Sequence, residues 1–347
     1  MKTVSMRLLP VFATGLGLAA MAALVAYFGA GAVLDSLFAV GIGGFAGVCA
    51  IHLVLIAVMG LAWHALLPGQ RPWALMWGRL ARDSGSEALP LSQVGGYVLG
   101  ARAATLAGVP GTLAAASTIV DVTLEFVAQI AYTGLGLAWL VHLQPGHPAT
   151  QPILVGLVVA VGAAGAFLLV QRHALQYVDR IAGVLGLGWA ERTAAGAAAV
   201  HDALAAIYKN RTGLLWNFAL HFVCWVASAI EAWLVLTLAG VPIRFGAVLA
   251  LESLLYAIRT AAFVVPNAVG VQEGAYVLLG AGFGLTPEIA LALSLLKRAR
   301  DLVIGLPSIG LWQLFEGGRL LRRLRRDAAE AGAVAVAVQA GERRRAG

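Results

Sequence analysis

The sequence predicts an all-α polytopic membrane protein: six transmembrane helices plus two re-entrant helical hairpins, arranged as inverted-topology repeats. Three observations lead there. Sixty per cent of the 347 residues are hydrophobic and 12% are charged, and the mean hydropathy is +0.85. A soluble domain cannot hide that much apolar surface. Apolar runs long enough to cross a hydrocarbon core recur along the chain. Two apolar regions, around Pro90 and around Pro266, are interrupted by helix breakers set among polar side chains. Backbone groups freed at membrane depth survive only where they are buried in protein or line a cavity. Eight full spans is the alternative, since a hairpin and two short crossings both return the chain to the same side.

The first span is expected at residues 8–28 and the second at 38–63, joined by a loop with Asp35 and no Lys or Arg. The start of the chain, with Lys2 and Arg7 before an apolar run, resembles a signal peptide. The run continues to Phe28, which favours a retained span. Gly43 and Gly47 in the second span read as small-residue helix packing. Residues 73–87 carry Arg79, Arg82, Asp83 and Glu87 and are too polar to span alone. With 93–108 they make the first hairpin, broken at Pro90, Gly95 and Gly96.

The third span, 112–141, holds Ser117, Asp121, Glu125, Gln129 and Thr133 at every fourth position, which is one polar stripe on a helix. Two carboxylates facing lipid there would cost roughly 5–7 kcal/mol by insertion scales, so the stripe must face protein or water. The fourth span is expected at 152–170, followed by an amphipathic insertion on the cytoplasmic surface at 171–212. The fifth, 214–239, contains His221 and Glu231. The second hairpin starts near Phe245, carries Glu252 and Arg259, and breaks at Pro266 and Gly270. The sixth, 287–314, carries Lys297, Arg298, Arg300 and Asp301. Residues 316–347 form a basic, disordered tail.

Basic segments fall at the N-terminus, 64–92, 171–212 and the tail, with neutral or acidic loops between and Arg244 the exception. This alternation puts both termini in the cytoplasm. The chain then divides into a first repeat, 1–151, and a second, 152–315. At an offset of 176 residues Pro90 meets Pro266, Gly108 meets Gly284 and Glu125 meets Asp301, which supports duplication and the architecture of alternating-access transporters.

The net charge of +7 raises the question of nucleic acid. Arg319, Arg322, Arg323, Arg325 and Arg326 cluster directly after a span, a position that suits anionic headgroups, and no nucleic-acid partner is expected. The two cysteines, Cys49 and Cys224, lie in predicted spans and imply neither disulfide nor metal site. There is no His-Glu-x-x-His, Gly-x-Ser-x-Gly, Walker A or Cys-x-x-Cys. An enzyme is therefore not expected, nor any cofactor or metal, nor ATP-driven transport by this chain alone. His52 and His221 read as packed or hydrogen-bonded residues.

What remains is a set of intramembrane polar and charged residues: Gln93 and Arg102 on the first hairpin; Asp121 and Glu125; Arg259, Asn267, Gln272 and Glu273 on the second hairpin; Lys297, Arg298 and Asp301. Two readings stand. The charges neutralise one another and lock helices together, or the cations bind an anionic headgroup near the midplane, helped by half-helix N-termini after Pro90 and Pro266. In the second reading Glu273 is a candidate proton- or cation-coupling carboxylate. Arg300 is expected to face the cytoplasmic half and pair with lipid phosphate.

Leu89, Pro90, Gly95, Gly96 and Arg102, the run Val265-Pro266-Asn267-Ala268-Val269-Gly270-Val271-Gln272-Glu273, and Lys297-Arg298 with Pro307 and Gly310 carry a resemblance. Over roughly residues 8–315 the chain resembles the flippase-like membrane domain of lysylphosphatidylglycerol synthases. The stretches 93–102 and 117–125 look like the hopanoid-associated branch. The resemblance implies a bacterial inner-membrane protein that moves a hopanoid-linked or anionic phospholipid between leaflets. Its expected partners are membrane lipids and hopanoid-biosynthesis proteins; oligomeric state stays open. Only some 30 residues follow the last span, too few for an aminoacyl-transfer domain, so aminoacyl-lipid synthesis is not expected. The alternative is a non-catalytic accessory subunit of hopanoid biosynthesis.

Overall fold

The computed structural model describes residues 38–87, 93–146, 150–185, 190–262 and 265–345, with scattered positions before 38 and position 148. Side-chain surroundings are left out for 171–195 and beyond 318. All regular structure among the described residues is helical. In chain order the helices are α1 (Gly41–Leu66), α2 (Pro72–Glu87), α3 (Gln93–Leu106), α4 (Gly111–Leu143), α5 (Thr150–Leu185), α6 (Ala190–Lys209), α7 (Arg211–Leu238), α8 (Phe245–Ala261), α9 (Val271–Gly282) and α10 (Pro287–Arg345). Helices α1, α4 and α7, together with Thr150–Phe167 of α5, are long and apolar enough to cross a membrane. The protein is an all-α polytopic membrane protein. The span expected at 8–28 lies outside the described residues. Helix α10 is not among those long, apolar helices; it carries Lys297, Arg298, Arg300 and Asp301 close to its start.

The helices start and stop for local reasons. Asn210 caps α7, its side chain accepting the Gly213 N–H at 2.9 Å. Helices α4 and α10 each follow a left-handed glycine, Gly108 at φ +107° and Gly284 at φ +82°, a conformation a side chain resists. Between α8 and α9 the chain turns through a short 3-10 segment, Pro266–Ala268. There Asn267 and Ala268 also take left-handed values, 51° and 46°, and Gly270 takes 80°. Helix α9 then opens with the Glu273 carboxylate accepting the Gly270 N–H at 2.7 Å, the return half of a capping box.

The break expected at Pro266 and Gly270 is therefore present. Pro90, the break expected in the first hairpin, lies outside the described residues, which leave off at Glu87 and resume at Gln93. Gly95 and Gly96 do not break anything: both sit in the first turn of α3. Gly96 serves packing instead. A Cβ there would fall 1.9 Å from Ser86 Oγ and 2.8 Å from the Arg82 carbonyl, so its absence lets α3 lie close against α2.

Three further expectations change. Helix α5 continues past 170 to Leu185, so the insertion at 171–212 is shared between its end and α6. The apolar face of α6 is buried against protein, with Ala203, Leu204 and Ile207 in one core with Trp63, Leu75 and Val120. Helix α10 runs unbroken through Pro307 to Arg345 in place of a disordered tail; the alanines beyond 327 are strong helix formers. No described atom lies within 4 Å of a Cβ built on Gly43 or Gly47, so neither marks a helix contact among the described residues, while Gly44 packs on Leu238. A second core joins Val48, Leu236, Val248, Leu251, Tyr276 and Leu293 from α1, α7, α8, α9 and α10.

Candidate functional site

Arg79 and Arg82 are three apart on α2, and Asp121 and Glu125 are four apart on α4, so each pair shares a helix face. The fold sets the faces together. Arg79 grips Glu125 with two parallel bonds, Nη1 to Oε2 at 3.0 Å and Nη2 to Oε1 at 2.8 Å, and its Nε donates to Asp83 at 2.7 Å. Arg82 donates to Asp121 at 2.9 Å and also to Glu125, with its guanidinium 4.5 Å from the centre of the Tyr97 ring. The other oxygen of Asp121 accepts from Asn217 at 2.7 Å and meets His221 Nε2 at 3.0 Å. Both arginines, both carboxylates and His221 are buried. A buried charge is tolerated when its partners satisfy it, and this network explains how polar α2 enters an apolar bundle.

The stripe on α4 behaves as its spacing predicts. Ser117 accepts from Trp63 Nε1 at 2.9 Å. Gln129 donates to the Tyr256 carbonyl at 3.1 Å and to Thr260 at 2.5 Å. All five members are buried.

On the other side the polarity is reversed. Now the long helix α10 carries the cations and the hairpin carries the acids. Lys297 donates to Glu252 on α8 at 2.5 Å and to Tyr276 on α9 at 3.0 Å, while Tyr276 donates to Glu252 at 2.6 Å. Arg298 bonds Glu273 at 2.5 and 3.1 Å; Ser294 also donates to Glu273, at 2.9 Å, and accepts from Gln272 at 2.8 Å. Arg300 pairs with Glu231 on α7 and with its neighbour Asp301 at 2.6 Å. His52 on α1 completes this group, Nδ1 lying 3.1 Å from Glu231 and Nε2 3.9 Å from Asp301.

Between the two networks lies a chamber of about 370 Å³. Its charged lining is Arg79, Arg82, Arg259 and Arg300 with Asp83, Glu87, Glu125 and Asp301. Apolar and aromatic side chains line it as well, with Leu55, Ile56, Met59, Phe126, Trp225 and Tyr256; the last two meet edge-on at 4.7 Å. Where the hairpins come closest, one nitrogen of Arg259 spans both oxygens of Glu87, at 3.0 and 2.9 Å, and the side chain of Asn267 at 3.1 Å. Asn267 also donates to the Glu87 carbonyl at 2.6 Å. This bridge ties the end of α2 to the turn between α8 and α9.

Of the residues singled out from the sequence, Glu125, Arg259, Asn267 and Asp301 line the chamber. Asp121 stands directly behind it, holding Arg82. Gln272, Glu273, Lys297 and Arg298 are not lining residues and belong to the α8–α9–α10 pairs just described. Glu273 is thus occupied in fixing the turn, and the structure gives it no access to the chamber. Arg102 is exposed on α3 and pairs with Glu316 at 2.7 Å, away from the chamber. Gln93 opens α3, and its side chain lies outside the described part.

Arg300 departs from its expected place: it is buried between Glu231 and Asp301 rather than directed at lipid, because those carboxylates need a cation. Sequence reading missed Arg79, Arg82 and Glu87 as site residues and treated them as too polar to span. Their three-residue spacing puts two cations on one helix face, but nothing local names the acids at 121 and 125 as their partners.

Asp121, Glu125 and His221 also come together as metal ligands do. Two guanidiniums and an amide already serve those carboxylates, and the arginines would repel a cation, so the cluster reads as an ion-pair network.

A family model described as the lysylphosphatidylglycerol synthase TM region matches residues 11–308. No curated protein and no solved structure matches the chain.

Proposed function

The chain belongs to the lysylphosphatidylglycerol synthase TM region family, which gives it a membrane-lipid-related function, and from there we propose that it moves an amphipathic lipid between leaflets. One observation carries this reading: a chamber lined by both charged and apolar, aromatic side chains, inside an otherwise hydrophobic bundle. A lipid is the ligand class that needs both at once. The guanidiniums of Arg79, Arg82, Arg259 and Arg300 suit the phosphate of a headgroup, and Tyr256, Trp225 and Phe126 suit what lies next to it. An anionic phospholipid and a hopanoid-linked lipid are the two cargoes we carry forward.

The two helical hairpins are re-entrant in this reading and belong to inverted repeats. Left-handed Gly108 and Gly284, at the 176-residue offset, each end a hairpin and precede a long charged helix, which supports that assignment. We place the protein in the bacterial inner membrane with both termini cytoplasmic, and assign it no catalytic step.

Reconstitution in vesicles tests the function. Leaflet exchange of labelled phospholipid or hopanoid above the rate of empty vesicles is expected; no excess for any headgroup tried would refute it. One observation favours the alternative, an accessory subunit of hopanoid biosynthesis: every cation on the chamber wall already holds a carboxylate. That reading expects a stable protein partner and no effect on exchange of neutral substitutions at Glu87 and Arg259.

A further inference from the structure

We infer that the chamber holds an exchangeable proton on His52, which hydrogen-bonds Glu231 and faces Asp301. The inference starts from a count of charge. Among the described residues, four guanidiniums line the chamber: Arg79, Arg82, Arg259 and Arg300. Six carboxylates line it or bond those that do: Asp83, Glu87, Glu125 and Asp301 on the wall, Asp121 and Glu231 behind it. Two negative charges are left over. The pairs Lys297 with Glu252 and Arg298 with Glu273 are internally balanced and do not change the excess.

Each carboxylate behind the wall meets a histidine, His221 on Asp121 and His52 on Glu231. The hydrogen-bond geometry separates the two. His221 is fully buried, and its Nδ1 has no partner. An imidazolium there would strand an N–H with no acceptor, a penalty that burial makes large. His52 has a carboxylate oxygen facing each ring nitrogen, Glu231 at 3.1 Å and Asp301 at 3.9 Å. In its charged form Nδ1 hydrogen-bonds Glu231, and Nε2 has the Asp301 carboxylate at ion-pair distance, beyond hydrogen-bond reach. Its side chain is 24% exposed and lines the chamber, so a proton can reach it.

The remaining groups facing His52 set the terms of that exchange. Arg300 on α10 competes for the same two carboxylates, and Cys49 lies one turn back on α1. Across the chamber are Arg79, Arg82, Asp83 and Glu87 of α2, Tyr97 of α3, Glu125 of α4, and Tyr256 and Arg259 of α8. With the proton on, His52 is a second cation bridging α1 to α7 and α10. With the proton off, the neutral imidazole keeps one hydrogen bond to Glu231 and Arg300 is the cation that pairs with both acids. The chamber thus has two charge states and two strengths of closure at one corner.

The test uses the full chain in lipid nanodiscs and diethyl pyrocarbonate, which attacks imidazole in its neutral and not its protonated form, read at each histidine by mass spectrometry from about pH 5.5 to 9. His52 is expected to react, with a rate falling about tenfold per pH unit below its midpoint. Exposed His142 serves as the internal control. In Glu231→Gln the midpoint should move relative to wild type. A wild-type His52 whose rate is flat across the range, or which stays unreactive while His142 reacts, would overturn the inference. The wild-type curve decides even if the variant does not fold. Lipid movement plays no part in this readout, so its failure and the failure of the transport reading are separate results.

Discussion

Glu125→Gln removes one negative charge from the centre of the α2–α4 network and leaves two arginines to share what is left. Breaking a buried ion pair from one side typically costs about 3–5 kcal/mol, because the surviving charge stays buried without compensation. Here the loss is cushioned. Arg79 keeps Asp83 at 2.7 Å and Arg82 keeps Asp121 at 2.9 Å, so the low end, about 3 kcal/mol, applies. Adding Arg82→Gln should recover part of that loss, since it withdraws the cation that Glu125 served. In detergent-solubilised protein, reversible denaturant titration monitored by tryptophan fluorescence reads both differences. A Glu125→Gln protein within about 0.5 kcal/mol of wild type, the scale of an ordinary surface change, would refute the claim that the network holds α2 in place. So would a double variant no more stable than the single one.

Other expectations follow from the same geometry. Gly96→Ala forces a methyl against Ser86 Oγ and the Arg82 carbonyl; about 1–3 kcal/mol of destabilisation is expected, and Ser86→Ala should relieve only the part due to the hydroxyl. Gly270→Ala puts a side chain at φ +80° and should cost about 1–2 kcal/mol, measured in the same titration. Glu87→Gln breaks the bridge to Arg259 at a partly exposed position, so stability should change by less than about 1 kcal/mol, whereas the vesicle exchange rate should change several-fold; an unaltered rate would mean the bridge takes no part in lipid movement. Cysteine placed at Asn267, which lines the chamber, should react with a water-soluble maleimide more slowly than exposed loop positions from either side of a sealed vesicle, as a turn at membrane depth requires; full loop-like labelling from the side opposite the ends of the hairpin would favour two full crossings.

How much of this could be read in advance depended on whether the signal was local. Helix limits such as Gly41–Leu66 and Arg211–Leu238 fall within three residues of the apolar runs expected at 38–63 and 214–239, because hydropathy and caps act over short range. The turn at Pro266 announced itself through Pro, Asn and Gly within five residues. The stripe on α4 was equally legible, since periodicity alone places five side chains on one face. Its partners were not. Nothing at 79 and 82 says that those arginines meet 121 and 125 rather than water, because that depends on how tightly α3 lies on α2, and thus on Gly96. The same holds for Arg300, whose burial follows from Glu231 some 69 residues away. Gly95 and Gly96 misled as breakers because glycine marks both turns and close helix contacts, and only three-dimensional packing tells the two apart.

The pairing of every chamber cation bears on how any ligand could be held. A phosphate that arrives at Arg82 or Arg259 does not meet a bare positive charge; it competes with a carboxylate already 2.9 Å away. Bare attraction would give tight binding and slow release. Exchange of one oxygen partner for another keeps the number of charge-assisted bonds nearly constant, so the difference in free energy between empty and loaded chamber stays small. A carrier that must release its cargo on the far side needs that balance, whereas a scaffold needs only the pairs. The two are separable at Arg259, whose Nη2 bonds both Glu87 and Asn267 at the bridge between α2 and the α8–α9 turn. Arg259→Lys keeps the charge but replaces the rigid guanidinium with a compact, strongly hydrated ammonium on a flexible stem, which weakens the hold on Glu87 and Asn267. A carrier should lose exchange rate at unchanged fold, while a scaffold should keep its partner bound and show no difference.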